Sequence, residues 1–495
     1  MRHQDQSRRT QSATALARDV TPFQSFAVAF GFVSIATGIF SAYGAVLTTS
    51  GPMGIWTWPV AVLGQLMVAL VLGSLAARIP VTGYVYQWAS RITNPVFGWI
   101  MGWISFTFLA IVLCAVDYTI PSAVLPVLLG YEGTAESAWL ITAVVIFGQA
   151  LMIAFSTKLT QKFNSFAVMV QLVGMIGLIV LLFAVGHYSG LMDYRNLLST
   201  GNVPREGYFS LGTAISVGPW MLGTLLGAFT IVGFESAANL AEETHDPARV
   251  IPRAMWQAVL SLGIIGMLFL IAVTALLGDP KAPVSATPIA DVITRVLGSY
   301  VGKLLLVLVV ISIFSCGLVI LLSATRLVWA MSRDERFPGW KSLRKISPSL
   351  HTPLNATIFI TLVGQAILAA FSSDTDALFT LFSAATLLPA IIYAVCVLMY
   401  ALKRNSIPAS QGFTLGAFEV PVLVLAMLWL VFELAIFRDA SFLKPWLYVA
   451  LMLGVGAIYL AGILLLRGGS SALRMPDMIS IDAIMDADQG ETLVK

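Results

Sequence analysis

Charge is the scarcest property of this chain. Only 11% of its 495 residues are charged, against 58% hydrophobic, and the mean hydropathy is +0.88. No water-soluble domain covers so much apolar surface with so few charges, so composition indicates a polytopic membrane protein in a lipid bilayer, all-α on the strength of its long apolar runs. A net charge of +3 is too small for a nucleic-acid-binding surface, and no nucleic-acid partner is expected. The chain has three cysteines, Cys114, Cys316 and Cys396, all inside apolar runs, where they behave as small hydrophobes. Its four histidines are scattered, so neither a disulfide framework, a metal site nor a cofactor is expected. The N-terminus carries Arg2, Arg8, Arg9 and Arg18, with no short apolar core ending in a cleavage site, which argues against a cleaved signal peptide. Nucleophile–base pairs, paired aspartates and His/Glu metal spacing are missing from the apolar runs, so an enzyme is not expected.

What the chain has in abundance is long apolar runs. Those able to cross ~30 Å of hydrocarbon, about 20 residues each, fall near 24–48, 55–77, 97–127, 137–157, 165–187, 217–241, 253–277, 302–331, 354–372, 376–401, 415–437 and 445–467. About twelve transmembrane helices follow. With the N-terminus inside, twenty-one of the 28 Lys and Arg fall on the cytoplasmic side. The outer side keeps Arg195, Arg205, Lys281, Arg295, Lys303, Arg438 and Lys444. This bias places both termini in the cytoplasm and suits a multi-pass protein of the plasma (inner) membrane.

Two runs are interrupted. Helix one reads Gly31-Phe-Val-Ser-Ile-Ala-Thr-Gly-Ile-Phe40, and helix six reads Phe229-Thr-Ile-Val-Gly-Phe-Glu-Ser-Ala-Ala238, each with glycine and hydroxyl residues near its centre. Small residues there serve either close helix packing or a midplane binding site in a transporter with inverted repeats. Glu235 tilts helix six toward binding, because an ionised side chain at mid-depth costs roughly 2.5 kcal/mol or more. It either titrates, pairing with substrate or ion, or bridges two helices as a protonated carboxyl. A charged break at membrane depth suits a transporter and not a passive anchor.

Other polar residues divide between two readings each. Asp117 shares a face of helix three with Thr107, Cys114 and Tyr118. It either attracts a cationic amine in an outer vestibule or sits in interfacial water. Glu242, Glu243, His245, Asp246, Arg249 and Arg253 form either a salt-bridge gate or a solvated loop. Ser312, Ser315 and Ser323 either supply hydroxyls to a sodium ion or bond their own helix carbonyls. Trp56, Trp58, Trp88, Trp446 and Tyr448 read as interfacial belt residues. The segment from Ser470, with Asp477, Asp482, Asp486 and Asp488, reads as a cytoplasmic tail.

Several segments together resemble the amino acid–polyamine–organocation (APC) superfamily, in particular its amino acid/choline transporter branch. They are Ser34-Ile-Ala-Thr-Gly-Ile-Phe40, Arg78-Ile-Pro-Val-Thr-Gly-Tyr-Val-Tyr-Gln-Trp88, Gly98-Trp99 with Gly102-Trp103, Gly233 to Arg253, and Arg326 through Asp334-Glu-Arg-Phe-Pro338. The resemblance spans roughly residues 20 to 467. It implies a leucine-transporter-like fold of five-plus-five inverted repeats, with helices one and six broken at the midplane. Repeat one would be 24–187, repeat two 217–401, and two further helices 415–467. Together these make a transporter domain of 21–467 between tails 1–20 and 468–495.

The resemblance also implies secondary active transport of an amino acid or small amine by alternating access. Exchange or coupling to H+ or Na+ would drive it, the proton favoured. Amides around Ala36, Thr37 and Gly38 would face a substrate carboxylate, and carbonyls near Ser34, Ile35 and Phe229 to Val232 would accept from its ammonium, with Gly233, Glu235 and Ser236 alongside. Glu235, Asp117 and Ser315 are the candidates for coupling. Two departures stand out: Ala36 occupies a position that is often glycine, and Gln171 falls where some proton-coupled members carry lysine. Choline, γ-aminobutyrate and polyamines are alternative substrates, and a membrane sensor that binds without transport is the competing function.

Overall fold

A computed structural model of the chain describes residues 20–285, 287–347, 352–371, 377–410 and 412–466. Both expected tails, Val20 apart, lie outside the described residues. Among these residues the regular structure is entirely helical. Eleven helices are long and apolar enough to cross a membrane: Pro22–Thr49, Pro52–Arg78, Pro95–Leu129, Ala135–Phe155, Lys158–Tyr188, Pro219–Glu243, Pro247–Ala275, Pro288–Arg333, Ser383–Lys403, Gly416–Ile436 and Ala440–Leu465. A shorter apolar helix, Leu354–Phe371, stands where the ninth was expected. Counting it, the helices are numbered one to twelve in chain order. Helix ten begins at Ala377, before its most apolar stretch.

Local chemistry sets many of the starts. Thr21 caps helix one by accepting from the Gln24 amide at 3.3 Å, while the Gln24 side chain accepts from the Thr21 amide at 2.9 Å. Pro22 follows at the first helical position, where its missing N–H costs nothing. Asn94 and Pro95 repeat the device at helix three. Helix eight begins fourteen residues earlier than the apolar run at 302, because two helices join at Gly298 with φ of 78°.

The helices form an inner and an outer set. Helix seven packs on helices two and one, helix eight on helices five and three, and helix ten on helix three. Protein encloses 89% of the most apolar stretch of helix six but only 17% of that of helix twelve. That difference decides where a break is tolerated: unpaired backbone at membrane depth survives only where protein or a cavity shields it from lipid. Trp58 and Trp88 correct the belt reading. Both are fully buried, their indole N–H groups donating to the carbonyls of Gly263 at 2.9 Å and Ile79 at 3.0 Å. Trp56 and Trp446 remain exposed.

Candidate functional site

Helix one stops at Val33 and restarts at Ile35, with Ser34 between them at φ 25° and ψ 103°. The Ser34 hydroxyl holds this shape. Its oxygen accepts from the Thr37 amide at 3.3 Å and the Thr37 hydroxyl at 2.8 Å, and Gln171 donates to it at 3.3 Å. The first helical bond of the second half runs from the Gly38 amide to the Ser34 carbonyl. The amides of Ile35 and Ala36 therefore stand ahead of it, at the positive end of a half-helix. The break falls at the start of the Ser34–Gly38 stretch singled out in the sequence, with the leading amides at Ile35 and Ala36.

Helix six ends its first half at Thr230, passes through Ile231 and Val232, and turns at Gly233 with φ of 85°. A 3-10 helix over Phe234–Glu243 follows. Gly233 is required twice: its φ is left-handed, and a Cβ there would enter the Phe32 ring. The two breaks touch. A Cβ on Gly38 would collide with the Thr230 side chain, and the Ser236 hydroxyl donates to the Val28 carbonyl at 3.2 Å. Tyr393 of helix ten completes the centre. Its hydroxyl accepts from the Gly233 amide at 2.8 Å and donates to Glu235 Oε2 at 2.6 Å.

A cavity of about 290 Å³ opens above this centre, lined by the second half of helix one, the first half of helix six, Ser383 and Thr386 of helix ten, and Asp439, Ser441 and Phe442. Of the expected site residues only Phe229 lines it; Ser34 to Gly38, Val232, Gly233, Glu235 and Ser236 lie buried beneath. Among the described residues its one carboxylate is Asp439, which accepts from the Val217 amide and from the amide and hydroxyl of Ser441. Burial alone would raise the pKa of Asp439, but these donors and the Arg438 guanidinium outweigh it and hold the group below the usual aspartate range.

The opposite, arginine-rich face is closed. Arg326 pairs with Glu243 at 2.9 Å, both side chains nearly fully buried, and Arg333 pairs with Glu242 at 3.2 Å. Glu242 also accepts from the Thr82 amide, and Tyr86 donates to Asp334 at 2.7 Å. The loop after helix two is thus tied to the ends of helices six and eight. Val20 adds a short parallel bridge, its amide donating to the Glu243 carbonyl at 2.9 Å. Glu242 and Glu243 therefore belong to a buried network, whereas Asp246 and Arg249 form an exposed pair.

Asp117 is away from the cavity and fully buried. Ser315 donates to Asn164 Oδ1 at 2.9 Å instead of to its own helix. Tyr393, Gln149, Asn164 and the buried pair Gln65–Glu433 were not anticipated from sequence. Each is a polar residue inside an apolar run, the same signal that marks Glu235.

A helical bundle with two touching broken helices under a cavity open to one face defines a membrane transporter. The sequence profile of the Amino acid permease family matches residues 20–458, and the chain belongs to that family, within the APC superfamily. Among its relatives are the amino-acid permease BAT1 of Arabidopsis thaliana, 24% identical over 84% of each chain, and the branched-chain amino acid permease BcaP of Bacillus subtilis, 25% identical over 91% of this chain and 95% of the relative. The low-affinity putrescine importer PlaP of Escherichia coli is 28% identical over 63% of this chain and 66% of its own length.

Proposed function

We infer that this protein is a secondary active transporter that carries an amino acid across the plasma membrane by alternating access, with both termini in the cytoplasm. On this reading twelve helices cross the bilayer, and the first ten form two inverted repeats. One observation carries the reading: two broken helices meet at Gly38 and Thr230 at the foot of a cavity open to one face, while an ion-pair network closes the other.

The same geometry favours a carboxylate-bearing substrate. The free amides of Ile35 and Ala36 form an anion-binding end of a half-helix. The carbonyls around the helix-six break provide acceptors for an ammonium without a desolvated net charge. The cavity walls are mainly apolar, with hydroxyls from Ser41, Thr49, Ser383, Thr386 and Ser441, and the oxygens of Asp439 are already engaged. Among the described residues no free carboxylate in that wall awaits a second ammonium, which favours a neutral amino acid over a polyamine. BcaP, named for branched-chain amino acids, is the relative this chemistry fits better than the putrescine importer. The proton is the proposed coupling ion, bound at Glu235.

Uptake into proteoliposomes tests this directly, with radiolabelled leucine, γ-aminobutyrate, choline and putrescine. Each is run under an inward proton gradient, an inward sodium gradient, or internal substrate alone. Leucine accumulation under the proton gradient supports the reading. Accumulation of putrescine overturns the substrate class, and saturable binding without uptake overturns transport in favour of a sensor.

A further inference from the structure

We propose that Asp117 and Gln149 form a second proton-binding site, separate from Glu235, whose proton is taken up and released once per transport cycle. The inference rests on the transport reading above and adds a coupling site to it.

The argument begins with unmatched hydrogen-bonding capacity. Asp117 of helix three is fully buried, and its Oδ1 accepts from Gln149 Nε2 of helix four at 2.8 Å. The same amide nitrogen donates to the Phe314 carbonyl of helix eight at 3.1 Å. Both N–H groups of Gln149 are then used. What remains is two acceptors, Asp117 Oδ2 and Gln149 Oε1, neither with a partner among the described residues. Buried acceptors seldom stay empty, and two acceptors in one pair lack a donor. A proton on Asp117 supplies it: the carboxyl becomes neutral, gains an O–H, and removes the cost of a buried charge.

Among the described residues the surroundings provide no counter-charge. Helix four contributes the neutral Gln149. Among the described residues the neighbouring titratable groups are two thiols and a phenol: Cys114 on the same helix, directed to the Gly364 carbonyl of helix nine, Cys316 on helix eight, and Tyr118, next along helix three. Helix ten also packs on helix three, but its Tyr393 hydroxyl is directed to Glu235. No ion pair joins Asp117 to a Lys, Arg or His among the described residues.

The site also touches the moving part. Gly317 of helix eight lies so close that a Cβ there would collide with Asp117 Oδ1. The adjacent Cys316 thiol donates to the Phe32 carbonyl at 3.0 Å, two residues before the helix-one break. Ionising Asp117 would therefore load charge onto the helix-eight turn that holds that break. The helix-one break and a buried acid, joined by one turn of helix eight, form an element that the proton can bias.

Asp117→Asn is the informative variant, since its carboxamide reproduces the neutral acid: one acceptor for Gln149 Nε2 and one donor for Gln149 Oε1. Two measurements decide the matter on the full-length protein. Infrared spectroscopy of wild type and variant at neutral pH reads the protonated-carboxyl C=O band, and the proposal expects Asp117→Asn to lose one component of it. Reversal-potential measurements in proteoliposomes read protons per substrate, and the variant is expected to couple one proton fewer. An unchanged carboxyl band means that Asp117 is ionised and overturns the proposal. A lost band component with unchanged stoichiometry means a fixed structural proton and also overturns it. Absence of any leucine transport by the wild type would instead refute the functional reading, while the infrared result would still report on the proton.

Discussion

The hydroxyl of Tyr393 lies 2.6 Å from Glu235 Oε2 and accepts the Gly233 amide from its other side. One oxygen on helix ten thus holds both the turn of helix six and the acid just beyond it. A hydrogen bond to an ionised acceptor is stronger than one to a neutral acid, so protonating Glu235 loosens this clamp.

Removing the clamp should be measurable on its own. Tyr393→Phe leaves a buried amide without an acceptor, a loss on the order of 1–3 kcal/mol. We expect a lower melting temperature in detergent, by thiol-reactive dye fluorescence, together with slower initial uptake. An unchanged melting temperature and uptake rate would remove Tyr393 from the account.

Glu235→Gln keeps an acceptor for Tyr393 but cannot exchange a proton. We expect a smaller stimulation of uptake by an inward proton gradient than in wild type, while substrate counterflow persists. If uptake rate and pH dependence both match the wild type, Glu235 is not the coupling group.

Much of this architecture was legible in the sequence because lipid imposes few solutions. Apolar runs near 55–77 and 253–277 correspond to helices Pro52–Arg78 and Pro247–Ala275, since a span must satisfy its backbone internally. The helix-six break was readable from Gly233 and Glu235 together. The exact break in helix one was not, because the hydroxyl of Ser34 caps a half-helix there and serine occurs equally in unbroken helices. Tyr393, Asn164 and Gln149 escaped for a related reason: a neutral polar side chain has little cost in a sequence pattern until its partner on a distant helix is known. Belt readings failed at Trp58 and Trp88, which find carbonyl acceptors inside the bundle and need no interface.

The buried Arg326–Glu243 pair should behave as a latch on the closed face. Removing the carboxylate takes the ion-pair partner from the buried Arg326 charge, and Glu243→Ala should cost about 3–5 kcal/mol. Arg326→Met combined with Glu243→Gln strands no charge, so the double variant should melt nearer the wild type than either single variant does. A loss in the double variant equal to the sum of the losses in Arg326→Met and Glu243→Gln alone would show that the pair is not coupled.

Asp439 allows a test by pH. Its pKa is lowered in the folded protein. A depressed carboxyl contributes stability that is present above its unfolded pKa, about 3.9, and is lost as pH falls through the lower folded value. The tether from Asp439 to Val217 and Ser441 is therefore constant across neutral and mildly acid pH. Asp439→Asn should leave the shape of the uptake profile above about pH 5 as it is in wild type. A flattened profile in that variant would transfer the pH dependence from the helix centre to the cavity rim.

Cysteine accessibility offers the most direct test of which side the cavity faces. The native Cys114, Cys316 and Cys396 are all buried, so background labelling should be low. Ala45 lines the cavity on the second half of helix one. In intact cells Ala45→Cys should react with a membrane-impermeant maleimide added outside. A transported amino acid should slow that reaction, since occupying the helix breaks below favours closure of the space above them. Alternating access adds a second requirement: weakening the opposite face with Arg326→Met and Glu243→Gln should reduce labelling of Ala45→Cys, because the two openings exclude each other. Labelling that occurs only from the cytoplasmic side would invert the orientation drawn from the basic loops. Labelling unaffected by the double substitution would mean that the two faces open independently, which a carrier cannot do.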